Sequence, residues 1–553
     1  MNDNQARSAI SAFVRRFRRA DYIIATVLLA MLFAMLTSYK LTRNDMLYGD
    51  SAIFFQATEN IARRGIAVSQ VAGGVVNYFK YTHTPVEEIA RNPLPLFGGP
   101  VNHPEPTLFR GHVYLILYPI ALLVTLLPAK TVLLSLDVLT FTGLILVAYF
   151  ALRRQGVSIC GAALFCLLIA AHPAWWQSVL YGQFFPDRLF IFAGFIFMLL
   201  VSRSDGPKIK YAPNALWMLI AAIVCASVNE RGALIAGMFL LAYTVLYWKK
   251  PGLQRSYRLI LGVTLLFYGL AIVKFVLADQ KLYGSFFPTS NTDLLTMFQA
   301  SNLSQLVLFL LINGTLFCLA MFEWRAAAIA LALMAPSILG GIGGAEKTGW
   351  SMHYPSFYFP ALVWAASRGY VAVFRRAREC WQPLIIYGGT GMLVLFLLMI
   401  EPNSYPLSIN FANVNRTFLV SFRDALSTYV IATGPREVLE SEVTGIAMAV
   451  PPGTVVSSIE PGMALLYQDR AIEFFPADID RADYAVLNGA WIGGKPQYGG
   501  AYNALGAEEI NKLNALVLDR MRLDGYDLDH PMIFPRHGLA VVRRGPRPHK
   551  ARE

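Results

Sequence analysis

The chain is divided into apolar runs long enough to reach across a lipid bilayer, joined by short basic loops, and that pattern excludes a soluble fold. Tyr22 to Tyr39 is one continuous apolar run. At about 1.5 Å per residue it covers roughly 27 Å, close to the thickness of a bilayer's hydrocarbon core. No small-residue cleavage site follows it, so it is expected to remain as a helix and not to be removed as a signal peptide. Further runs follow at about 131–152, 157–171, 188–203, 213–228, 233–248, 258–277, 304–322, 325–340, 357–372 and 383–400. Of the 553 residues 56% are hydrophobic and only 15% charged, too little polar surface to cover a soluble protein of this size.

Charge sets the expected orientation. Ahead of the first run Arg7, Arg15, Arg16, Arg18 and Arg19 outnumber Asp3 and Asp21, which places the N-terminus in the cytoplasm by the positive-inside rule. The net charge of +12 is concentrated in loops, at Arg153-Arg154, Lys208 to Lys210, Lys249 to Arg258 and Arg368 to Arg378. Topology and anionic membrane lipids account for it better than nucleic acid does. Gly111 to Leu127 is apolar but short and holds Pro119, and a full crossing there would turn Arg153-Arg154 outward. It is read as a re-entrant or interfacial helix.

About eleven spans remain, in a membrane module over 1–401 with an external first loop at 41–111. His172 to Asp187, the corner Asn229 to Gly232, Asp279 to Ser304, Gly340 to Tyr358 and everything after Glu401 then lie outside as well. Residues 402–553 change character: β-branched runs at Thr454 to Ser458, Tyr484 to Leu487 and Leu539 to Val542 enclose a helix-like Ala507 to Met521. The expected architecture is a mainly α-helical polytopic membrane protein with a small extracytoplasmic α/β domain at its C-terminus. None of the five cysteines falls in a proposed external segment, so neither a disulfide framework nor a Cys-based zinc site is expected.

Asp50 is the first candidate for chemistry, about ten residues beyond the first span. With a helix beginning at about Ser51 it would be the N-cap, where free N–H groups and the helix dipole favour the ionised carboxylate that a general base requires. Ile53, Phe54, Ala57 and Ile61 recur at helical spacing and would anchor that helix, with Glu59, Arg63 and Arg64 facing elsewhere. The alternative is a plain cap residue. Asp187 and Arg188 close a second external segment crowded with Trp175, Trp176, Tyr181, Phe184 and Phe185, which is either an interfacial aromatic belt or a sugar or lipid platform. Glu230 and Arg231 lie between two apolar runs, as a surface turn or as an arginine that holds a phosphate with a glutamate to orient it. Lys347, His353 and Tyr354 precede another span, as a structural pair at the interface or as donors to a phosphate or sugar.

His83, His103, Glu105, His112 and His172 show no HxH or HExxH spacing, so no cofactor is expected and a divalent metal has no support. A P-loop and a Gly-rich dinucleotide turn are also absent. Candidates that face a compartment without nucleotide sugars point to an activated lipid as donor.

Taken in order, these pieces resemble the GT-C superfamily of integral-membrane glycosyltransferases, and within it an uncharacterised prokaryotic family of predicted membrane proteins. Asp50 to Gln56 matches that family's Asp-x-x-x-x-x-Gln pattern, and His112 to Pro119 its histidine leading a Pro-containing helix. Phe185-Pro186-Asp187 is similar to a His-Pro-Glu element, with phenylalanine in place of histidine. Asn229-Glu230-Arg231 is similar to a Lys-Glu-Asp corner, and His353, Tyr354 and Pro360 to a His-Tyr element before a Pro-containing helix. Leu466 to Arg470, Phe475-Pro476 and Asp483-Tyr484 fit a C-terminal series.

The resemblance implies a GT-C-like membrane fold and transfer of a sugar from a polyprenyl-phosphate donor to a glycan, lipid or protein acceptor outside the cytoplasm. Asp50 would act as base, and Arg231, Lys347 and His353 would steady the departing phosphate. A bacterial inner membrane suits the chain, with a eukaryotic endomembrane as the alternative location.

Two other classes compete. A transporter of lipid-linked glycan or lipid would place ionisable residues inside several spans and show paired half-repeats, where this chain offers mainly Lys274 and no convincing repeat. A non-catalytic scaffold would use the external domain to bind a partner.

Overall fold

The computed structural model describes residues 3–42, 49–72, 86–92, 97, 112–172, 184–203, 211–247, 253–276, 300–339, 355–376, 382–399, 433–489 and 507–545. Among the described residues a helix covers most of each expected run. In chain order the helices are α1 (Asp3–Thr42), α2 (Gly49–Arg64), α3 (Val86–Arg91), α4 (Leu117–Val124), α5 (Ala129–Arg154), α6 (Ile159–Ala171), α7 (Leu189–Arg203), α8 (Tyr211–Val228), α9 (Glu230–Leu246), α10 (Leu253–Phe275), α11 (Ala300–Ala320), α12 (Trp324–Leu339), α13 (Pro355–Arg376), α14 (Gln382–Met399) and α15 (Thr433–Ala449). A single 3₁₀ turn, Pro186–Arg188, leads directly into α7.

Among the described residues three segments are long and apolar enough to cross a bilayer: Ala20–Leu41 within α1, Ala129–Arg154, and Arg255–Phe275 within α10. Shorter apolar helices accompany them. The chain is thus mainly helical, with candidate membrane spans and a small C-terminal sheet. Two expected boundaries move. Helix α2 runs from Gly49, so the backbone of Asp50 belongs to its first turn. The short apolar segment at 111–127 contains a helix of only eight residues, α4, which buries Leu117, Ile120 and Ala121 and leaves Leu122, Leu123, Leu126 and Leu127 exposed.

Helix α13 is the axis of the bundle. Sixteen of its residues are buried, Trp364 among the largest fully enclosed side chains. Close approach of its neighbours depends on glycine. A Cβ on Gly369 would run into the Leu319 carbonyl oxygen of α11, and where α8 meets α9 one on Gly232 would run into that of Cys225.

After the bundle come β1 (Val455–Ser458), α16 (Glu460–Leu466), β2 (Ala471–Phe474), β3 (Tyr484–Asn488), α17 (Ala507–Leu523), β4 (Met532–Phe534) and β5 (Leu539–Arg543). The strand order is β2-β1-β3-β5-β4, with β1 parallel to β2 and β3, and β5 antiparallel to β3 and β4. Successive side chains on a strand face opposite ways, so β3 sends Tyr484 and Val486 to one core and Ala485 and Leu487 to another.

Both cores are completed by the first loop. On one face Phe54, Phe55 and Ala57 of α2 and Leu117 of α4 pack with Val456, Met463, Tyr467 and Val486. On the other, Val86 and Ile89 of α3 and Phe97 pack with Leu487, Val517 and Met521. Tyr467 and Gln468 both donate to the Glu59 carboxylate, at 3.3 and 3.0 Å. The described strands of the C-terminal sheet and the helices between residues 49 and 97 therefore share their apolar interior.

Phe55→Ala tests this sharing. Removing a fully buried ring that lies 5.4 Å from Tyr467 is expected to cost about 3–5 kcal/mol and to speed protease cleavage within 433–545, a region far away in sequence. Unchanged cleavage there would show that the two parts hold independently.

Candidate functional site

Four stretches meet at one end of the bundle: the start of α2, residues 112–116, residues 184–188 and the start of α9. Their junction begins with a helix cap. Asn229 is extended, and its Oδ1 accepts from the Gly232 N–H at 2.8 Å, which starts α9 and puts Glu230 in its first turn. Glu230 is fully buried. Its Oε1 lies 2.6 Å from His112 Nδ1, and its Oε2 accepts from the Val113 N–H at 3.2 Å. The Ile116 N–H donates to the Ser227 carbonyl at 2.7 Å, so the segment after the first loop is clasped to the α8–α9 corner at two levels.

The same asparagine reaches the second segment, where its Nδ2 donates to Asp187 Oδ1. Beside Asp187, Arg188 turns the other way and donates from Nη1 to Asp137 Oδ2 at 3.0 Å. Lys40, near the end of α1, bonds the same oxygen. Lys40, Asp137, Asp187, Arg188 and Glu230 are all 2% exposed or less. Charges of both signs are thus enclosed together, as burial of charge requires.

Helix α2 joins through its first turn. Ser51 Oγ accepts from the Phe184 N–H at 2.9 Å, and the Phe54 ring meets Tyr114 at 5.3 Å and both Phe184 and Phe185 at 6.1 Å. Gln56 is engaged locally: its Oε1 accepts from Ser69 Oγ and the Val71 N–H, pinning the chain that leaves α2. Arg231 lies 5.9 Å above the Phe357 ring in the first turn of α13.

Of the residues expected from sequence, His112 and Glu230 are therefore in direct contact, Asp187 is joined to that pair through Asn229, and Arg188 follows it in the chain. Gln56 serves the loop. The side chain of Asp50 lies outside the described residues, although its backbone belongs to α2 beside Ser51. Lys347, His353 and Tyr354 also lie outside the described residues.

Lys40, Asp137 and Asn229 were not among the candidates. Asp137 falls inside the expected span at 131–152, so Lys274 is not the main ionisable residue within the apolar runs. A lone carboxylate there signals a buried partner, because an unpaired charge is costly in that setting. Lys274 itself is exposed, 5.6 Å from the Phe275 ring.

The C-terminal residues of the expected series hold the sheet domain together. Arg470 donates to the Ala447 and Val450 carbonyls at the end of α15, and Asp483 accepts from the Val455 N–H. Among the described residues no three His, Cys, Asp or Glu side chains gather as a metal site would require.

Chemically the site offers a carboxyl that titrates near neutrality beside cations able to meet an anion. Burial pushes the Asp187 carboxyl up to about 6, with His112 and Arg231 pulling it partly back. Between its unfolded value near 3.8 and 6, the folded state holds more protons than the unfolded one. Stability should therefore fall as pH rises from about 4 to about 6 and then level off. Asp187→Asn is expected to remove that slope in thermal melts of the detergent-solubilised protein; an unchanged slope would assign it elsewhere. Asp137→Asn removes the charge shared by Lys40 and Arg188 and is expected to cost about 3–5 kcal/mol, read as a lower midpoint in the same assay.

The chain matches no known family model, and no curated protein is similar enough to it to be matched.

Proposed function

We propose that the chain is a GT-C-like glycosyltransferase that moves a sugar from a polyprenyl-phosphate donor to a glycan, lipid or protein acceptor. The observation that carries this reading is the Ser51–Phe184 hydrogen bond. It holds the helical turn that bears Asp50 next to the segment that bears Asp187, at the end of the bundle where His112, Glu230 and Arg231 meet.

In the proposed reaction Asp50 accepts the proton of the acceptor hydroxyl as that oxygen bonds to the anomeric carbon. The bond from that carbon to the lipid phosphate breaks in the same displacement, so configuration inverts, and the departing phosphate keeps the bonding electrons. Arg231 meets the growing negative charge, with His353 and Lys347 as further donors. Asp187 is the second carboxylate, able to exchange a proton near neutral pH. No resident cofactor takes part.

The proposal sets about eleven spans in a bacterial inner membrane, with the site and the sheet domain outside and the N-terminus in the cytoplasm. The arginines at the far ends of α5 and α7, Arg153, Arg154 and Arg203, favour that orientation under the positive-inside rule.

A second reading is favoured by one observation. Lys40, Asp137 and Arg188 form a buried ion group among the helices, a feature expected of a transporter of lipids or lipid-linked glycans.

Cells lacking the protein, complemented with wild type or Asp50→Asn at equal membrane levels, separate the two. Mass spectrometry of lipid-linked sugars and surface glycans is expected to show a missing sugar restored by wild type only, with the lipid-linked donor accumulating in the variant. Equal complementation would end the assignment of Asp50 as base and leave the transporter reading in front.

A further inference from the structure

At the opposite end of the bundle a second cluster forms, independent of any catalytic reading. Tyr243, in the last turn of α9, and Tyr247, the residue that caps it, stack with ring centroids 4.5 Å apart. Three guanidinium groups surround them. Arg258 of α10 lies 5.5 Å from the Tyr243 ring, and Arg325 of α12 and Arg368 of α13 lie 5.7 and 5.4 Å from the Tyr247 ring. The carboxylate found with them is that of Glu323, which accepts from the Tyr247 hydroxyl at 3.0 Å. Among the described residues the Tyr247 ring thus holds two guanidinium groups, those of Arg325 and Arg368, beside one carboxylate. Cation–π contact holds the guanidiniums in place without neutralising them.

The neighbouring surface is apolar. Met321, Phe322 and Trp324, in the turn from α11 to α12, are 57%, 50% and 61% exposed, and α12 continues as an apolar helix through Ala335. An exposed tryptophan at the end of an apolar helix is suited to the headgroup level of a bilayer. Fixed arginines beside an apolar flank match a ligand that has an anionic head and hydrocarbon tails.

We propose that this cluster is a binding site for one anionic phospholipid, with its phosphate between Arg325 and Arg368 and its acyl chains against Met321, Phe322 and Trp324. Arg325 is exposed and so reachable from the lipid, whereas Arg258 is buried and donates to the Val201 carbonyl, supporting the ring pair from behind.

The full chain, reconstituted in nanodiscs of phosphatidylcholine with a minor fraction of phosphatidylglycerol and released for native mass spectrometry, tests the site. Wild type is expected to retain phosphatidylglycerol about tenfold over phosphatidylcholine, relative to their supply. Arg325→Gln with Arg368→Gln should bring that ratio close to one. Arg375→Gln with Arg376→Gln, at the end of the same α13 helix, should leave it unchanged. If the double variant does not assemble, Arg325→Gln alone must lower the ratio, since that side chain is already exposed.

Three results would overturn the proposal. Equal retention of the two lipids by wild type would reduce the feature to an apolar surface. An equal loss in the Arg375 and Arg376 variant would reduce it to diffuse charge. Release of phosphatidylglycerol by inorganic phosphate at ionic strength matched with chloride would identify a site for a soluble anion.

Discussion

The Asp137 carboxylate is the point on which the site end of the molecule depends. It bonds Lys40 from α1 and Arg188 from the turn before α7, all three out of reach of solvent. Two cations on one carboxylate leave an excess positive charge that burial would penalise heavily. The following link supplies the compensation, because Asp187 precedes Arg188 in the chain and Asn229 ties it to the corner where Glu230 and Arg231 stand. The buried charges of both signs thus tie α1, α5, the turn before α7 and the start of α9 to one another.

That mutual dependence makes a preorganised site from segments that are individually weak. Residues 112–116 are not helical and would be poorly held alone; Glu230 and the Ser227 carbonyl provide their hydrogen-bond partners. The start of α2 is held by one serine and a group of aromatic rings.

Helix placement was readable because the apolar runs and basic loops obey simple rules of length and charge. The candidates His112, Asp187, Glu230 and Arg231 were readable because each is a polar group at the edge of an apolar run. Asp137 lies inside such a run, where its cost is the sign of a partner, and no pattern in one sequence says that Lys40 and Arg188 supply it. Gln56 illustrates the opposite case: a residue picked out by spacing proves to hold its own loop through Ser69 and Val71. The shared interior of the first loop and the sheet was equally invisible, since alternation in β3 shows that both faces are covered without showing what covers them.

That interior also dictates an order of events during synthesis. Glu59 and Tyr467 are separated by 408 residues, and helices α2 and α3 are made long before the strands they cover. At roughly 5–20 residues per second, the apolar faces of the first loop wait about 20 to 80 s for their partners. For that interval Phe54, Phe55, Val86 and Ile89 need the bilayer surface, or a chaperone, as a temporary cover. The strands are thus what ends the exposure of α2 and α3, which makes loss of residues 455–543 a defect of packing around residues 52–97.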